Sequence, residues 1–95
     1  MTPRSVQVVV PCFNEAVRFD SEAFARALAN DGELSFVLVD DGSADDTASV
    51  LHTLADRYAG RVEVLELSVN SGKAEAVRQG MLAAFGRISF VRRRR

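Results

Sequence analysis

Two carboxylates, a glycine and a hydroxyl, Asp40-Asp41-Gly42-Ser43, follow directly on the apolar run Phe36-Val37-Leu38-Val39. A carboxylate in such a place can accept hydrogen bonds from the N–H groups of a ligand. Two other polar stretches carry comparable chemistry. Pro11-Cys12-Phe13-Asn14-Glu15 offers an aromatic face and a carboxylate, and Ser68-Val69-Asn70-Ser71-Gly72-Lys73 offers a loop with one cation. A lysine there can meet a phosphate as a point charge. Each stretch also has a plainer reading: a helix-capping turn for Asp40 and Asp41, a strand-ending turn for 11–15, and a solvated first-turn lysine for Lys73.

These stretches need elements to hold them. Residues 6–10 are β-branched and almost wholly apolar, and stop at Pro11, which cannot donate to a sheet ladder. Residues 36–39 form an unbroken apolar run bounded by turn chemistry, the pattern of a strand buried on both faces in a parallel sheet. In open α/β sheets, ligands bind at the carboxyl ends of such strands. Residues 62–67 alternate more, with Glu63 and Glu66 interrupting, which predicts a strand nearer the sheet edge. Residues 88–91 are expected to open a fourth strand.

Helical patterns lie between the strands. The first runs to about Asn30, capped by Asp20 or Ser21, with Phe24 and Leu28 inward and Gly32 beyond its end. Ser43 and Asp46 have the spacing of a capping box, and Asp45 adds charge at the positive end of the dipole. Val50, Leu51, Leu54, Ala55 and Tyr58 then form an amphipathic stripe. The third helix is expected over about 74–84, with Ala74, Val77, Met81, Leu82 and Phe85 on its apolar side. The βαβαβαβ order implies parallel strands with right-handed crossovers, hence a three-layer α/β sandwich.

Composition narrows the function classes. The 95 residues suit one small domain, and 47% hydrophobic with 26% charged residues is a globular composition. Four of the twelve basic residues are Arg92-Arg93-Arg94-Arg95, so the remaining eight face thirteen acidic ones, a balance of −5. An acidic body argues against nucleic-acid binding, which needs clustered Lys and Arg. The four arginines form a small patch for anionic lipid or nucleic acid at most. Cys12 is the sole cysteine, so no intrachain disulfide forms and a reducing compartment is the default. It reads as a small buried filler, His52 as a surface residue, and Arg78 as a solvated helix residue. No signal-peptide core or membrane-length apolar stretch is visible, so a cytoplasmic chain is expected.

The three polar stretches, Val-Val-Pro-Cys-Phe-Asn-Glu (9–15), Leu-Val-Asp-Asp-Gly-Ser-Ala-Asp-Asp-Thr (38–47) and Asn-Ser-Gly-Lys-Ala-Glu-Ala-Val-Arg-Gln-Gly (70–80), resemble the family 2 glycosyltransferases. They occur in order, at the ends of the expected strands. Gly72-Lys73, Ala76-Val77-Arg78 and Gly80-Met81 further resemble the branch that loads glucose or mannose onto polyprenyl or dolichyl phosphate.

The resemblance implies a glycosyltransferase A-type fold, with residues 1–91 as its Rossmann-like, nucleotide-sugar-binding half and 92–95 as an arginine tail. It implies a UDP- or GDP-sugar donor and a lipid-phosphate or other acceptor, with membrane association for a longer parent. By the same resemblance Asp41 accepts from the base, with the Val39 backbone beside it. Pro11, Phe13 and Glu15 form the opposite wall, Phe13 facing the base and Glu15 the base or ribose. Lys73 is the phosphate candidate and Asp40 is structural. Phe13 stands where the family often has tyrosine.

The family also binds a divalent cation, Mg or Mn, through an Asp-x-Asp after the fourth strand. Here Phe90-Val91 is followed by arginines, so neither metal ligands nor catalytic residues are assigned. The chain is expected to be inactive alone, as a truncated or frame-shifted coding region would make it, and to self-associate through an open sheet edge.

Rival readings differ in what they require. A receiver domain needs its acidic pair after the first strand, an aspartate after the third and a fifth strand with a lysine, and this sequence fails all three. A dinucleotide fold needs a G-x-G-x-x-G after the first strand, which is absent. A non-catalytic module that binds nucleotide or a partner would keep Phe13 and Asp41 without the metal.

Overall fold

The structure is a computed structural model that describes residues 6–86. The expected fourth strand and the arginine tail lie outside the described residues. In chain order the elements are β1 (Val6–Cys12), α1 (Ser21–Asn30), β2 (Leu34–Asp41), α2 (Thr47–Arg57), β3 (Val62–Leu67) and α3 (Lys73–Ala84). The strands are parallel in the order β1-β2-β3, so the apolar run of β2 is hydrogen-bonded on both sides and buried from Ser35 to Asp41. The three-layer α/β architecture read from the sequence is the one observed.

Alternation along β2 divides the core. Phe36 and Leu38 pack with Leu28 of α1 and Leu51 and Leu54 of α2. Val37 and Val39 pack on the other face with Ala76 and Ala83 of α3. Phe24 reaches the first layer edge-on to Phe36, their ring centroids 4.7 Å apart. The Arg61 guanidinium closes the amino end of the sheet by donating to the carbonyls of Leu34 and Asp31. Among the described residues no helix is long and apolar enough to cross a membrane.

Four sequence expectations are corrected. First, the buried face of α3 is Ala76, Gly80 and Ala83, whereas Ala74, Met81 and Phe85 are exposed. The reason is close approach: a Cβ at position 80 would stand 2.5 Å from Val9 Cγ1 and 2.7 Å from Val39 Cγ2. A helix seated that near a sheet needs small residues, not bulky ones. Second, His52 is 5% exposed, and its Nε2 lies 2.5 Å from Glu66 Oε2 on β3. The strand alternation that puts Val62 and Val64 against α2 puts Glu66 there too, and no spacing within the helix reveals that partner.

Third, Ser43 and Asp46 do not form a capping box. Asp46 is the N-cap without a side-chain bond, and Ser43 lies outside the helix. Fourth, α1 ends on Asp31 in an extended conformation, without a left-handed glycine; its N-cap is Asp20, which accepts from Ala23 N.

On the outer side of α3, Arg78 grips Glu75 through both guanidinium arms, at 2.8 and 2.7 Å, and Gln79 donates to the same carboxylate. These bonds, that from Arg78 foremost, hold the Glu75 carboxyl down to about 2 from its ordinary 4.5. A carboxyl depressed by folding contributes stability above its unfolded pKa and loses it as pH falls through the folded one. Stability should therefore decline between pH 4.5 and about 2. Glu75→Gln should flatten that part of the profile in urea titrations, by a small amount because the pair is solvent-exposed. Gly80→Ala tests the α3 seating. Helix propensity favours alanine by about 1 kcal/mol, but overpacking against two stiff valines costs about 1–3 kcal/mol. A net loss on the order of 1 kcal/mol in urea unfolding is expected, and a gain would refute the close seating.

Candidate functional site

The loops that follow the three strands meet at the carboxyl end of the sheet, held by two sets of hydrogen bonds. The first joins the β1–α1 loop to the β2–α2 loop. Asn14 N donates to Ser43 Oγ at 2.9 Å, and Asn14 Oδ1 accepts from Ala44 N at 2.9 Å. Glu15 N donates to Thr47 Oγ1 at 2.8 Å, and Ala16 N to Asp45 Oδ2 at 3.4 Å. Asn14 adopts a left-handed conformation, φ 51°, to make both of its contacts. Asp45 also accepts from the Thr47 backbone N–H and hydroxyl, and the hydroxyl bond is the main reason its carboxyl sits below the usual range.

The second set centres on Asp41, which is 3% exposed. Its Oδ1 accepts from Ser71 N and Ser71 Oγ at 2.8 and 2.9 Å. Its Oδ2 accepts from Gly72 N and Asn70 Nδ2 at 3.0 and 3.1 Å. A carboxylate offers about four lone-pair sites, and the β3–α3 loop fills them all. Gly42 makes this possible: with φ 69°, a Cβ there would stand 2.3 Å from Asn70 N and 2.4 Å from the Val69 carbonyl carbon. Asp40, 5% exposed, accepts from Ser43 N at 3.2 Å and holds the following turn, as expected of a structural residue.

Between the loops lies a cleft of about 240 Å³ lined by Pro11, Cys12, Phe13, Glu15, Asp41, Asn70, Gly72 and Lys73. Five of the sequence candidates, Pro11, Phe13, Glu15, Asp41 and Lys73, are thus brought together from segments far apart in the chain. Val39 is not among the lining residues: its side chain is fully buried against α3. Phe13 is 43% exposed. Glu15 pairs with Arg18 at 3.3 Å. Lys73, exposed at the start of α3, has no ion pair among the described residues. Cys12 is buried, and burial, reinforced by the charges of Glu15 and Asp40, pushes its thiol up to about 12. It is a small buried residue, as read from the sequence.

Sequence reasoning assigned no role to Asn14, Thr47, Asn70, Ser71 or Gly72. The polarity of 70–72 was visible, but its partner, 29 to 31 residues earlier, was not. A divalent cation does not fit the described residues. They contain no group of three or more His, Cys, Asp or Glu side chains able to hold one, and the Asp41 oxygens are already engaged.

The profile of Glycosyl transferase family 2 matches residues 7–91. A dolichyl-phosphate beta-glucosyltransferase of Drosophila melanogaster is 40% identical over 91 residues, covering 86% of this chain and 28% of the relative. An N-acetylglucosaminyltransferase of Azorhizobium caulinodans is 41% identical over 80 residues, 80% of this chain and 19% of the relative. An undecaprenyl-phosphate 4-deoxy-4-formamido-L-arabinose transferase of Pseudomonas fluorescens is 35% identical over 80 residues, 79% of this chain and 23% of the relative. The chain therefore spans less than a third of these curated relatives. A match over nearly all the described residues establishes that the chain belongs to glycosyl transferase family 2.

Proposed function

We propose that the cleft binds the nucleotide of a UDP- or GDP-sugar, and that this domain serves hexosyl transfer to a polyprenyl or dolichyl phosphate or a similar acceptor. The observation that supports it best is the convergence of Phe13, Glu15, Asp41 and Lys73 on one cleft at the carboxyl end of a parallel sheet. An aromatic ring suits a base face, and a carboxylate suits a ring N–H, which uracil and guanine carry and adenine and cytosine do not. Lys73, without an ion pair among the described residues and at the first turn of a 12-residue helix, suits a phosphate by its own charge and by the helix dipole. Val39 contributes its backbone only.

The acceptor rests on the names of the polyprenyl- and dolichyl-phosphate relatives. No step through a metal is assigned. By the family resemblance, the Asp-x-Asp position carries arginines here, and we propose that the 95-residue chain binds donor without transferring sugar. A non-catalytic nucleotide-binding module is the second reading, favoured by the same residues.

Calorimetric titration with UDP and with GDP tests the proposal, and saturable binding of at least one is expected. Lys73→Ala should weaken the diphosphate about fivefold, the worth of about 1 kcal/mol for an exposed charge contact, and leave the matching nucleoside unchanged. Absence of binding by both nucleotides would overturn the assignment. A sugar-transfer assay with polyprenyl phosphate should give no product from the 95-residue chain, and product would overturn the binding-only reading.

A further inference from the structure

Asp41 is asked to read a base, yet every acceptor site on its carboxylate is already taken by its own chain. A ligand N–H can reach Oδ1 or Oδ2 only by displacing a donor. The four donors are not equivalent. Two are backbone N–H groups, of Ser71 and Gly72, which move only with the loop. The Ser71 hydroxyl belongs to a residue that lines a different cleft, with Leu67, Ser68, Val69, Glu75 and Gln79. Asn70 Nδ2 is the one side-chain donor from a residue that lines the same cleft as Phe13, Glu15 and Lys73. Its contact to Oδ2, at 3.1 Å, is the longest of the four, and its second bond, to the Asp41 carbonyl, is 3.2 Å. Side-chain rotation alone releases both.

We propose that Asn70 gates the base subsite, its amide standing in for a nucleobase ring N–H on Asp41 Oδ2 until a nucleotide displaces it. The gate rests on the nucleotide-binding reading above and deepens it. In the closed form a buried carboxylate keeps all its donors, so it carries no unsatisfied acceptor when the cleft holds no base. Binding then proceeds from a smaller open population, which lowers apparent affinity by the open fraction. The gate also sharpens discrimination. A base lacking a ring N–H would leave the buried Oδ2 short of a donor after displacing Asn70, so only bases with that N–H repay the opening.

The test is calorimetric titration of the 95-residue chain and its variants with UDP, GDP and their ring-N-methylated forms, 3-methyl-UDP and 1-methyl-GDP. Asn70→Ala removes the competing donor and should tighten the preferred nucleotide about threefold to tenfold, the net worth of one hydrogen bond. Asn70→Ser, which keeps a short polar residue suited to a turn, should shift affinity in the same direction and guards against a loop that fails to form. Ser71→Ala removes the hydroxyl donor on Oδ1, from a residue that lines the other cleft, and should leave affinity within twofold. The methylated nucleotides should gain nothing from either Asn70 variant. Equal or weaker binding by both Asn70 variants, with the wild type binding, overturns the gate and leaves the nucleotide reading standing. An equal gain with the methylated forms also overturns it. Absence of binding by every form overturns the nucleotide reading and the gate with it.

Discussion

A carboxylate buried at the end of a central strand is the constraint on which this domain's functional end depends. Taking Asp41 out of water costs several kcal/mol unless hydrogen bonds replace its hydration. Four donors do so, and all come from residues 70–72. The position of the β3–α3 loop, the start of α3 and thus the place of Lys73 all follow from satisfying one side chain. Gly42 is the geometric counterpart, since any Cβ there would push the same loop away. Charge burial and close backbone approach select one arrangement together.

A separate set of bonds joins the β1–α1 loop to the β2–α2 loop. Asn14, Ser43, Thr47 and Asp45 exchange hydrogen bonds across two loops whose residues are about thirty positions apart. Thr47 is fully buried, so its hydroxyl is worth more to the clasp than a surface contact would be. The result fixes the segment that carries Phe13 and Glu15, which line the cleft together with Asn70 and Lys73. Such a division suits a binding site, because the sheet and core supply rigidity while polar loops supply the chemistry.

The two helical layers are held differently. On the α1–α2 side, leucines and an aromatic pair fill the space with bulk. On the α3 side, Gly80, Ala76 and Ala83 bring a helix almost onto the strands. Phe13 and Lys73 belong to segments that flank opposite faces of the sheet.

By itself the sequence determined the element order, the buried central strand, the edge character of β3, the three polar loops and the family. Those features are local: apolar runs, period-2 and period-3.6 patterns and short motifs are legible wherever they occur. Five of the six site candidates met in one cleft for the same reason, because motifs at the carboxyl ends of parallel strands must converge. Tertiary structure alone decided what touches what. Ser43 has the spacing of a cap but bonds Asn14, and His52 shows no partner in its helix but finds Glu66 on β3. Met81 and Phe85 look like core but lose their place to glycine and alanine, which fit a closer contact. Asp41 reads as a free acceptor until the loop thirty residues onward fills it. In each case the deciding partner is distant in the chain, and only packing brings it within hydrogen-bonding or van der Waals range.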